Sequence, residues 1–189
     1  MTRCVVTVLA VCLAVSAAWG HTFPPQRTVV VQVERCELAL LVGYRPGTGE
    51  PTEAVLARAS TQPKSQMLQT LRAVLAAFAM APLTVTLDGT PLVPTSVRAK
   101  VGIEGGGARP IVVLLVTYAV PSAGRLEIAS ADPRTTRFSW QDRSGGRVPA
   151  ADAPAQGRWF DGVASFLLSL AAPPGDTACV TSRSSDSLH

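Results

Sequence analysis

The chain has no asparagine, so it carries no N-glycosylation acceptor, and it has only two histidines, His21 and His189, in 189 residues. Neither histidine falls within the stretch whose pattern predicts a fold. That removes a Ser-His-Asp or Cys-His catalytic arrangement and a histidine-rich zinc site. No G-x-S-x-G, H-E-x-x-H, C-x-x-C or P-loop pattern occurs. Three glycines do sit together at Gly105–Gly107, but no Lys-Ser/Thr follows them and an apolar strand comes next, so they read as a loop. The basic residues are scattered, with no run to grip phosphates, which argues against nucleic acid as a partner.

Past the N-terminus there is also no apolar run long enough for a bilayer, which needs about 20 residues in a helix. The longest is Pro110 to Val120, PIVVLLVTYAV. Its β-branched residues and bounding prolines, Pro110 and Pro121, favour a strand. With no polar side chain before Thr117, it is expected to be a central strand covered on both faces. Its expected neighbours are the 96–103 and 125–129 strands, with the 65–80 helix over one face.

What the sequence does have begins with an export signal over 1–20. Arg3 supplies the positive end, Cys4 to Val15 the apolar core, and Ala18-Trp19-Gly20 the small residues before a cut at His21. Of four cysteines, Cys4 and Cys12 would leave with the signal. Cys36 and Cys179 remain, and the simplest outcome for an exported chain is one disulfide between them. A bridge across about 140 residues is worth on the order of 4–5 kcal/mol in the chain-entropy model. The composition, rich in Ala, Val, Arg and Pro, suits a bacterial chain, and the expected location is secreted or periplasmic.

Residues 21–172 are expected to form a single β-rich domain, followed by a polar tail over 173–189. Val29, Val31 and Val33 alternate with Val30, Gln32 and Glu34, and Leu38, Leu40 and Val42 repeat that period of two, with the turn at Glu34–Glu37. A helical insert over about 51–81 follows. Met67, Leu68, Leu71, Val74, Leu75 and Phe78 recur at helical spacing, and Ser65 is the expected N-cap. Leu83–Leu87 alternates into Asp88-Gly89, the strongest hairpin signal in the chain. Further strands are expected at 96–103, 125–129 and 135–141, the last with Phe138 and Trp140 on one face. Over 158–170, Trp159, Val163, Phe166, Leu167 and Leu170 fall on one side of a predicted C-terminal amphipathic helix. The fold class is therefore α+β, mainly β: an antiparallel sheet or β-sandwich of about seven strands with a helical insert and that terminal helix.

Little chemistry stands out. Asp132, Asp142, Asp152 and Asp161 lie in or beside loops and would support a small hydrolase only if they converge. His21, as a mature N-terminus, would offer its α-amino group and imidazole to Cu(II), the one metal-handling feature. No catalytic or cofactor-binding residue is assigned and no cofactor is expected. The face bearing Trp159, Phe160, Phe166 and Leu167 could touch a membrane surface, but its polar side lacks lysine and docking on the sheet fits it better.

The order of elements resembles a family. After a His-led N-terminus come two strands, a helical insert, L-x-V-x-L-D-G-x-P-L at Leu83–Leu92, an apolar strand ending Tyr118-Ala119-Val120-Pro121, and Gly124-Arg125-Leu126-Glu127-Ile128. Over about Thr28 to Trp140 this resembles the extracytoplasmic β-sandwich domain of hydrogenase/urease nickel-accessory membrane proteins. That family continues into several membrane helices. Here one short amphipathic stretch follows, so the resemblance implies an extracytoplasmic sandwich and not transport, and no metal ligand carries over. The sequence reads as a non-enzymatic binding module at the cell envelope, with a protein or membrane-associated assembly as partner. The alternatives are metal handling through His21 and a hydrolase using loop carboxylates.

Overall fold

Alternating valines in β1 (Gln26–Val33) and leucines in β2 (Glu37–Arg45) pair antiparallel, so that Val29, Val31 and Val33 meet Val42, Leu40 and Leu38 on one buried face. The computed structural model describes residues 26–47, 50–103, 110–151, 153–173 and 179. The expected signal, His21, His189, the glycine loop, Asp152 and the end of the polar tail lie outside the described residues.

The helical insert forms α1 (Glu50–Ser60) and α2 (Lys64–Met80). The N-cap of α2 is Pro63, not Ser65, because proline's fixed φ starts the helix two residues earlier. The expected stripe on α2 is only half used. Leu75 and Ala79 are buried, while Met67, Leu68 and Phe78 are exposed. The chain then gives β3 (Leu83–Leu87), β4 (Thr90–Pro91), β5 (Pro94–Ile103), β6 (Pro110–Ala119) and β7 (Gly124–Ser130). A short 3-10 turn at Pro133–Thr135 leads to β8 (Thr136–Asp142), β9 (Phe160–Asp161) and β10 (Ser165–Leu170). Asp88 and Gly89 join β3 to β4 with φ of 51° and 75°, the left-handed pair that an Asp-Gly hairpin turn requires.

Two sheets result. One has six strands in the order β5-β6-β2-β1-β8-β9, the other four in the order β10-β7-β3-β4. The mainly β class holds, with ten strands and two α-helices among the described residues instead of about seven strands and a terminal helix. All pairs are antiparallel except β1 with β8. That exception arises because the 3-10 turn carries the chain from β7, in the small sheet, to the far side of β1 in the large one.

The apolar core lies between the sheets and is closed on one side by α1 and α2. Val29, Leu40, Leu114, Phe138 and Trp140 of the large sheet, Leu126, Ile128 and Leu168 of the small one, and Leu75 of α2 form one cluster. Phe138 and Phe166 stack across the two sheets with ring centroids 6.1 Å apart. At one end, Arg27 donates to the carbonyls of Ala79 (2.7 Å) and Phe78 (3.0 Å), which fixes the C-terminus of α2 against β1. At the other, the fully buried Arg147 donates to the carbonyls of Arg35, Val120, Ser122 and Ala171 and ties strand ends of both sheets together. The Cys36–Cys179 disulfide forms beside it, at a sequence separation of 143. No helix among the described residues is long and apolar enough to cross a membrane.

Three expectations are corrected. The 158–170 stretch is not a helix. Gly162, at φ 71°, turns the chain, and Phe166, Leu168 and Leu170 face the core at a period of two while Leu167 faces outward. Helical and strand spacing overlap for these residues, and pairing with β7 decided between them. The β6 strand is central, and β5 is its neighbour as expected, but its other neighbour is β2, with β7 in the opposite sheet. It is also covered on one face only: Val112, Leu114, Val116 and Tyr118 are buried, and Val113 is exposed. Both the small sheet and the helices pack on the same face of the large sheet, which leaves its outer face open among the described residues.

Candidate functional site: an arginine-lined cleft on the open sheet face

The outer face is set by strand register. Residues directly opposite one another share a face, so Lys100, Val113, Gly43, Thr28, Arg137 and Asp161 form one row across β5, β6, β2, β1, β8 and β9. A cleft of about 550 Å³ opens on this row, at the end of the sheet where β1 and β8 begin and β2 ends. Its walls are the starts of β1 and β8, the end of β2, Ile111 and Val113 of β6, the 3-10 turn and the β9 turn.

Gly43 makes its floor. A Cβ there would lie 2.7 Å from the Thr28 hydroxyl, too close to fit, so only glycine keeps the row open at this point. The Thr28 hydroxyl donates weakly, at 3.4 Å, to the Gly43 carbonyl on the paired strand.

Four arginines line the cleft, Arg27, Arg45, Arg134 and Arg137, with a single carboxylate, Asp161, but the Arg27 guanidinium turns to the covered face and is taken up by carbonyls of α2. The arginines come from four places in the chain, which explains why no basic run announces them. Arg27 is buried against α2, with its guanidinium 5.1 Å from the Tyr44 ring centroid. Burial pulls the Arg27 pKa below its usual value and pushes the Tyr44 phenol above its own, an effect that the nearby Arg27 charge partly offsets for the phenol. Arg137 lies over the Trp159 ring at 4.5 Å and pairs with Asp161 at 3.2 Å. Arg134 is exposed, and its guanidinium makes no hydrogen bond or ion pair with another described residue. Arginine suits such a site, because its planar fork matches carboxylate and phosphate oxygens two at a time.

The residues singled out from sequence fare differently. Cys36 and Cys179 pair as expected. Asp161 reaches the cleft but is held by Arg137. Asp142 sits at the far end of β8, about 17 Å from Arg137 at the usual rise per residue, and accepts from the Ser144 backbone N–H. Asp132 accepts from the Thr135 hydroxyl. Asp142 and Asp161 therefore lie at opposite ends of β8. No group of three metal-binding side chains occurs among the described residues. Of the proposed membrane-facing set, Trp159 and Leu167 are exposed, whereas Phe166 is buried and Phe160 partly so, its ring packed 5.7 Å from that of Phe166. No local sequence signal groups the four arginines, since only the β1–β8 pairing and the β2 register assemble them.

No family model matches the chain, and neither a curated protein nor a solved structure matches it.

Proposed function

We propose that the protein is an exported, non-enzymatic binding module of the cell envelope that holds an anionic group in the arginine-lined cleft. The cleft itself carries this reading: Arg45, Arg134 and Arg137 accompany one aspartate beside an apolar floor edge of Ile111 and Val113. A ligand with a carboxylate or phosphate head and an apolar body matches that pairing. The long-range disulfide supports an oxidising compartment. So does the signal-like N-terminus, and the resemblance to an extracytoplasmic sandwich domain supports a place beside a membrane assembly.

The test uses the purified full chain. Backbone amide shifts are followed by NMR while inorganic phosphate, and separately a short-chain fatty acid, is added. Saturable shifts confined to residues 26–28, 43–45 and 134–137, lost in Arg134→Glu, are the expected result. Shifts spread evenly over the surface, or unchanged by Arg134→Glu, would sink the reading.

A further inference from the structure

A second surface lies at the β5 edge of the large sheet, one strand beyond the β6 wall of the cleft. There β5 pairs with β6 along one side, and no strand pairs with its other side among the described residues. An open edge of this length is a template for one more strand.

Its two faces offer different chemistry. On the outer face it presents Arg98 and Lys100, which lie opposite Leu115 and Val113 of β6 and are exposed. On the inner face it presents Val97, which is 56% exposed although its neighbours on β6 are buried. Helix α2 packs on β2, β6 and β5, and its C-terminal carbonyls are held by Arg27 of β1. The packed part of the helix is its second half, around Leu75 and Ala79, while Met67 and Leu68 near its start are exposed. A strand added to this edge would have the exposed Val97 beside it on the inner face and the two cations on the outer one.

We infer that the β5 edge is a docking site for an extended peptide of a partner protein, one that alternates acidic and apolar residues. Strand pairing supplies the backbone hydrogen bonds. The acidic side chains meet Arg98 and Lys100, and the apolar ones meet Val97. A second copy of this chain fits poorly. A two-fold antiparallel pairing centred near the middle of β5 sets Arg98 opposite Lys100, Arg98 opposite Arg98, or Lys100 opposite Lys100, and like charges in register repel. The charges that prevent self-pairing are those that select an acidic strand.

The experiment measures fluorescence anisotropy of two labelled, end-blocked ten-residue peptides, one alternating Glu and Val and the other alternating Lys and Val, with the full chain at low salt. The Glu/Val peptide should bind at least about tenfold more tightly, and the advantage should shrink as salt is added. The double variant Arg98→Glu/Lys100→Glu should reverse the preference, which a misfolded protein would not do. Arg134→Glu, in the cleft, should leave the peptide affinity unchanged. Three outcomes overturn the inference: no difference between the peptides, loss of Glu/Val binding in Arg134→Glu, or sedimentation as a dimer that Arg98→Glu/Lys100→Glu dissociates.

Discussion

Val113 and Leu114 are consecutive in β6, yet they meet opposite environments: Leu114 is 0% exposed in the core, and Val113 is 41% exposed on the open face. The sequence treats the two alike. A strand's alternation separates them, because successive side chains leave opposite sides of the sheet and only one side is covered.

Leu114→Asp should therefore cost more than about 4 kcal/mol or prevent folding, since it leaves an unpaired charge among Val42, Ala99 and the rest of the core. Val113→Asp should cost less than about 1 kcal/mol. Urea denaturation of both variants measures the difference. Equal losses would mean that the outer face is covered.

Arg147 is a buried cation held by four backbone carbonyls, drawn from the turn after β1, the end of β6 and the end of β10. Arg147→Met should destabilise by about 3–5 kcal/mol, because it strands those carbonyls in the interior. Arg147→Lys keeps the charge but loses the fork that reaches several carbonyls at once, so its midpoint in urea should fall between those of Met and the parent chain.

Gly43 keeps the cleft open. Gly43→Ala should push the new methyl against the Thr28 hydroxyl, lower stability by about 1–3 kcal/mol and weaken phosphate binding in the cleft. Replacing Thr28 with Ala in the same chain should recover most of the stability. Failure of that second change to recover any would show that the cost of Gly43→Ala has another origin.

Alkali should unfold the protein through its tyrosines. Burial raises the pKa of both Tyr44 and Tyr118 above the ordinary 10.0. The folded state then holds these protons when the unfolded chain has lost them. Their contribution to stability is whole below pH 10 and declines as pH rises from there through the folded values. Tyrosinate absorbance near 295 nm should stay low until the loss of the folded far-UV signal, and should rise with it. Titration of either phenol below pH 10 in the folded state would contradict this.

Much of the fold was readable along the chain. The β1–β2 hairpin, the Asp88-Gly89 turn and the Phe138/Trp140 face of β8 each rest on neighbours in sequence, where a period of two or a left-handed turn leaves a local trace. The same holds for Cys36 and Cys179, because the other two cysteines fall in the apolar N-terminal run and leave one simplest bridge. Periodicity misled at 158–170, where aromatic and aliphatic residues satisfy both a helical and a strand pattern, and a partner strand settled the matter.

Sheet membership was beyond local reach. Whether β6 borders β2 or β7, which face of the large sheet receives the small one, and which strand remains at the edge are all questions of what packs against what. Hydrophobic burial answers them for the whole chain at once, because the helices and the small sheet can bury their own apolar sides against only one face of the large sheet. The cleft follows from the same choice. Arg27, Arg45, Arg134 and Arg137 are spread over more than half the chain and become neighbours only when β8 lies parallel to β1 and β2 lies on β1's other side. The sequence by itself thus determined strands, turns and a covalent tie. The tertiary structure alone decided which surfaces stay open, and with them where this protein can bind.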